Sequence, residues 1–105
     1  MTKPLAGILV VSLDQAVAAP MTARKLADAG ARVIKLERPE GDFARGYDRA
    51  AAGQSSYFVW LNRGKESVAV DLARPDDKRL FEALLGKADV LIQNLKPGAL
   101  ARLGY

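Results

Sequence analysis

The chain has 105 residues, 50% apolar and 27% charged, which bounds it to one domain with room for a single core. It contains no cysteine and no histidine, so disulfides, thiol chemistry and histidine-ligated metals are excluded within these residues. Sixteen basic residues against twelve acidic ones give a net charge of +4, a modest positive field suited to an anionic small molecule. The basic residues are scattered and no stretch interleaves them with aromatics, which argues against nucleic acid as a partner. No apolar run approaches the ~20 residues of a membrane span, and the opening MTKPLAG lacks the order of a secretory signal. A cytoplasmic location away from membranes is the expectation.

Gly7–Leu13 (GILVVSL) is a short apolar run rich in β-branched residues, as a parallel strand covered on both faces requires. Pro20 suits the first turn of a helix through MTARKLADAG, and Gly30 is placed to end it in a left-handed cap. ARVIKLE follows as a second strand, so the first three elements read as a right-handed βαβ crossover. From Arg38 to Ser55 the chain has Gly, Pro and charges without period, which predicts a long surface loop. SSYFVWLN reads as a short helix capped by Ser55 or Ser56, its aromatics filling core beside the loop.

A third strand is expected at Ser67–Leu72. Pro75, Asp76 and Asp77 then open a helix whose stripe is Leu80, Phe81, Leu84 and Leu85, with Gly86 ending it. Ala88–Asn94 is the fourth strand, and PGALARLGY a short closing helix. The fold class is therefore α/β: an open, mostly parallel Rossmann-like sheet of about four strands with flanking helices.

Such sheets bind ligands at the carboxyl ends of their strands. Those ends are Asp14 to Pro20, Glu37-Arg38, Leu72 to Arg74 and Asn94 to Lys96. They gather small residues, an amide and the cations Arg38, Arg74 and Lys96, with Arg102 a little further on. Ala18 and Ala19 before Pro20 let an extended ligand approach the backbone, and an arginine at a strand end forks onto phosphate or stacks on a purine. Each has a plainer reading: Arg38 and Arg74 as solvated surface charge, Asn94 as a residue tying down its own turn. No G-x-G-x-x-G follows the first strand and no G-x-x-x-x-G-K-[ST] occurs, so dinucleotide and P-loop readings lack their main support. A phospho-receiver domain needs an acidic pair after the first strand, and SLDQ offers one carboxylate.

PLAGILVVSLDQAVAAP, LADAGARVIKLERPEGDFAR, YFVWLNRGKESVAVDL and ADVLIQNLKPGALARLGY, in this order from Pro4 to Tyr105, together resemble the amino-terminal part of the family III CoA-transferases (the CaiB/BaiF family). GQSSYFVWLNRGKES and QNLKPGA look closest to members acting on short acids, dicarboxylic ones included. The resemblance implies transfer of CoA between a CoA thioester and a small carboxylic acid, with an aspartate as nucleophile and no metal. It implies that residues 1–105 are the N-terminal CoA-binding part of a large Rossmann-like domain whose remainder is absent, from a protein that forms interlocked homodimers. Carried over motif by motif, it places CoA contacts at Val17 and Ala18, at Arg38, at Val70, Asp71, Leu72 and Ala73, at Asn94, Leu95 and Lys96, and at Arg102. Arg38 and Arg102 would engage the adenine or phosphate end.

Departures from the family pattern are Ala19 where a glycine is usual, Val17 where some members have glutamine, and Ala73 where some have lysine, with Arg74 as a substitute. None of Asp14, Asp28, Asp71 or Asp89 matches the nucleophile, so the chain alone is expected to be inactive and no catalytic residue is assigned. Two alternatives remain: a 2-methylacyl-CoA racemase of the same family, and a non-catalytic binding or assembly fragment.

Overall fold

The computed structural model describes residues 2–105. Strands β1 (Leu9–Leu13), β2 (Arg32–Glu37), β3 (Lys65–Ala69) and β4 (Val90–Gln93) form one parallel sheet in the order β3-β2-β1-β4. Helices α1 (Ala18–Asp28), α2 (Ser56–Asn62) and α3 (Pro75–Lys87) occupy the three crossovers, and α4 (Ala99–Arg102) follows β4. The α/β alternation anticipated from sequence is what the chain adopts. β1 lies at the point where strand order reverses, with β2 on one side and β4 on the other. That is where open sheets of this type leave a crevice.

The two faces of the sheet differ in chemistry. Val11, Leu13, Ile34 and Leu36 alternate onto one face and pack with Val70 and with Phe81 of α3, which is fully buried. Leu84 and Leu85 of α3 support this layer, as do Leu95 and Leu100. Val10 and Val33 point the other way and meet Ala23 of α1 and Ala31. Further along the same face, toward the carboxyl ends, Ser12, Lys35, Glu37 and then Asp14 are buried as well. A parallel strand covered on both sides is here apolar on one face and half ionic on the other.

The local sequence explains the element ends. Ser55 Oγ accepts from Phe58 N–H at 3.3 Å and caps α2. Gly30 follows α1 at φ +108, and a Cβ there would lie 2.6 Å from Lys3 Cβ, so both backbone and space demand glycine. Several expectations are corrected. β3 runs Lys65–Ala69, not Ser67–Leu72. Its partner β2 stops at Glu37, opposite Ala69, and the last bond is Val70 N–H to the Glu37 carbonyl at 2.7 Å. Val70–Leu72 are thereby released toward the strand-end crevice. α3 continues through Gly86 to Lys87, and Leu80 turns to solvent, leaving Phe81, Leu84 and Leu85 as the stripe.

The segment after β2 is more ordered than a long loop implies. It holds a one-turn 3₁₀ helix at Phe43–Gly46, started by Asp42 and carrying the buried Ala44. In α2 the aromatics divide: Phe58 is half-buried, with Lys35 Nζ 5.7 Å from its ring centroid, and the other two face outward. Tyr57 and Trp60 are about half exposed, and Leu61 is the residue that is fully buried.

Candidate functional site

A cleft of about 270 Å³ opens over the carboxyl ends of the strands. Its walls are Leu13–Gln15 after β1, Leu36–Asp42 after β2, Val70–Leu72 after β3, and Leu95 after β4. All four strand ends contribute. The wall after β2 is shaped by Glu37, whose carboxylate makes four contacts. Its Oε2 accepts from Asp42 N–H (2.9 Å) and Arg45 Nε (2.8 Å), and its Oε1 accepts from Arg45 Nη2 (2.7 Å) and Ser67 Oγ (2.7 Å). Burial by itself pushes this carboxyl up, but Arg45, Ser67 and the Asp42 N–H outweigh it and bring it down to about 2. Glu37 therefore bends residues 38–46 back over the sheet end and ties them to β3.

Arg38 stands at the rim of this bend. Its Nε donates to the Gly41 carbonyl at 2.9 Å, and its guanidinium lies over the Phe43 ring, 4.4 Å from the centroid. The side chain is thus pre-ordered, and among the described residues its two terminal nitrogens have no hydrogen-bond partner.

Beneath the cleft lies a buried four-charge network. Lys35 Nζ donates to Asp14 Oδ1 (2.8 Å), to the Asp14 carbonyl (3.0 Å) and to Asp42 Oδ2 (2.9 Å). Lys65 Nζ donates to Asp14 Oδ2 (2.7 Å), Asn62 Oδ1 (2.8 Å) and the Pro20 carbonyl (2.9 Å). Each ammonium has three acceptors, and two carboxylates balance two ammonium groups, the condition under which buried charge is tolerated. Burial pushes the Lys65 ammonium down and Asp14 opposes it. Asp14 has one ammonium on each oxygen and a side chain closed off from solvent, which argues against it as a phospho-acceptor. Among the described residues no group of three or more acidic side chains is arranged to hold a metal ion.

Of the residues expected to contact a ligand, Arg38, Val70, Asp71, Leu72 and Leu95 come together on the cleft wall. The other six are not among its lining. Val17 and Ala18 sit exposed at the start of α1, and Ala73 is exposed just before α3. Asn94 is bonded to the backbone of Gln15 (3.0 and 2.8 Å), so it ties down a turn, though one from β1 and not its own. Lys96 and Arg102 are exposed, in the bend after β4 and in α4. Sequence reasoning passed over Lys35, Lys65, Asp42 and Arg45. The available signal was RVIKLE itself, where a lysine and a glutamate stand two apart in a strand that must be covered on both faces.

The fold and cleft define an open parallel sheet with a candidate ligand site at the carboxyl ends of its strands. The model of CoA-transferase family III matches residues 5–105, and the chain belongs to that family. It is 42% identical over 103 residues to the acetyl-CoA:oxalate CoA-transferase of Acetobacter aceti, covering 97% of this chain and 26% of that one. It is 38% identical over 104 residues to the succinyl-CoA:glutarate CoA-transferase of Mus musculus, covering 97% of this chain and 24% of the other. Among solved structures, a CaiB/BaiF family protein from Brucella suis superposes with a TM-score of 0.91 at 38% identity, covering 99% of this chain and 29% of its own. The chain thus spans about a quarter of the length of the curated relatives it matches.

Proposed function

We propose that this chain forms the CoA-binding wall of an enzyme that moves CoA from an acyl thioester to a small carboxylic acid. The single observation that carries this reading is the strand-end cleft, where Arg38, Val70–Leu72 and Leu95 meet. Arg38 offers an ordered guanidinium for the phosphorylated nucleotide, and the apolar edges of Val70, Leu72 and Leu95 suit adenine or the pantetheine arm. Transfer between carboxylates is favoured over racemisation by the relatives, whose names specify oxalate and glutarate as acceptors.

The nucleophile is assigned outside these residues: none of Asp14, Asp28, Asp71 or Asp89 matches the reacting aspartate of the family pattern, and each of the four already accepts a hydrogen bond or ion pair. Asp14 is saturated by two lysines, and Asp28 pairs with Arg24 and Arg63. Asp71 accepts from Ala73 N–H, and Asp89 from Leu9 N–H. A cytoplasmic, dimeric parent protein completes the reading.

Titration calorimetry of CoA into the 105-residue chain tests it. Binding should be competed more strongly by adenosine 3′,5′-bisphosphate than by pantetheine, and acyl transfer should be absent. Failure of CoA to bind at millimolar concentration would overturn the assignment.

A further inference from the structure

The turn between β1 and α1 is fixed by side chains from two distant parts of the chain. Gln15 N–H donates to Asn94 Oδ1 at 3.0 Å, and Asn94 Nδ2 donates back to the Gln15 carbonyl at 2.8 Å. The next residue, Ala16, stands at φ 64, a left-handed conformation that a Cβ disfavours. Its N–H donates to Asp42 Oδ1 at 2.9 Å. Asp42 is in turn held by Lys35 Nζ at 2.9 Å and by its own N–H on Glu37 Oε2, also at 2.9 Å. No glycine supplies the left-handed turn, so contacts from outside the turn impose it.

The pins sit on either side of the cleft. Gln15 lines it from β1, Asp42 from the segment after β2, and Leu95, the residue after Asn94, from β4. The side chain of Asn94 is turned onto the Gln15 backbone and is not itself part of the lining. We propose that Asn94 is a positioning residue. Acting through Gln15, with Asp42 holding Ala16, it sets the left-handed turn that keeps Gln15 in the cleft wall between β1 and the start of α1.

This inference rests on the CoA reading and is tested so that the two can fail separately. In Asn94→Ala, CoA should bind about tenfold more weakly, from the loss of two hydrogen bonds to the turn. The backbone amide resonances of residues 16–18 should move with it. Adding Ala16→Gly should restore most of the affinity, because glycine takes the left-handed conformation without a steric cost. A side chain that touched the ligand directly would gain nothing from that second change, and an unrestored double variant overturns the proposal. Asn94→Asp keeps the size of the residue but sets a carboxylate oxygen against the Gln15 carbonyl. It should behave as Asn94→Ala, and wild-type affinity in it would equally overturn the proposal. Should the unaltered chain not bind CoA, the function assigned above falls, and the resonances decide alone. Displaced signals from residues 16–18 in Asn94→Ala support the positioning role, and unmoved ones refute it.

Discussion

Lys35, in the middle of β2, donates to Asp14 at the end of β1 across 2.8 Å, with both side chains closed off from solvent. The pair joins neighbouring strands immediately under the cleft floor, and Asp42 and Lys65 extend it to the segment after β2 and to β3. Removing the Lys35 ammonium leaves two buried carboxylates, Asp14 and Asp42, with Lys65 as the one remaining counter-charge in the network. Lys35→Met should therefore cost about 3–5 kcal/mol, read from urea unfolding. A loss below about 1 kcal/mol would show that the network contributes little to holding the strands together.

Glu37 gives the fold an acid-sensitive latch. Its carboxyl titrates at about 2 in the folded chain against an ordinary 4.5, so between those values the unfolded chain binds more protons than the folded one. The stability that the group contributes is complete above pH 4.5 and is lost as pH falls toward about 2. The gap in urea midpoint between wild type and Glu37→Gln should shrink across that window. A gap constant with pH would contradict the assignment.

At the cleft rim, Phe43 orders Arg38 from below. Arg38→Ala should weaken CoA binding about tenfold or more by removing a charge-assisted contact. Phe43→Ala should weaken it only a few-fold, because the guanidinium remains but is less restrained. Calorimetry on both variants measures the ranking, and the reverse order would show that Phe43 and not Arg38 is the ligand contact.

Gly30 carries a backbone prediction independent of ligand. Ala at this position must adopt φ +108 and place its Cβ against Lys3 Cβ. Gly30→Ala should lose about 1–3 kcal/mol. Gly53, also at positive φ but with nothing near an added Cβ, provides the control for conformation without crowding. Equal losses at the two sites would mean that the close approach of Lys3 is immaterial.

Much of the architecture was legible because it depends on local signals. Apolar β-branched runs, Pro20, Pro75 and Gly30 mark strands and helix ends within a few residues. The strand-end location of the cleft followed from parallel topology alone. What was not legible depends on partners distant in sequence. The limits of β3 are set by where β2 stops, so SVAVDL gave the wrong frame. Lys35 and Lys65 look like surface residues until Asp14 and Asp42 are brought beside them. Asn94 shows its engagement only when β4 is laid next to β1, since Gln15 is 79 residues away. The order of the 38–46 segment arises likewise from Glu37 and Arg45 closing on each other, a pairing that no periodicity announces.

The unequal faces of β2 also govern how the sheet can assemble. A shift of its pairing by one residue would rotate Lys35 and Glu37 into the layer of Phe81 and Ile34 into the ionic one. An all-aliphatic strand would tolerate such a slip at modest cost, whereas stranded charges in hydrocarbon make it prohibitive. The buried ions thereby act as a registration key, selecting one alignment of the strands from several that greasiness alone would leave nearly degenerate.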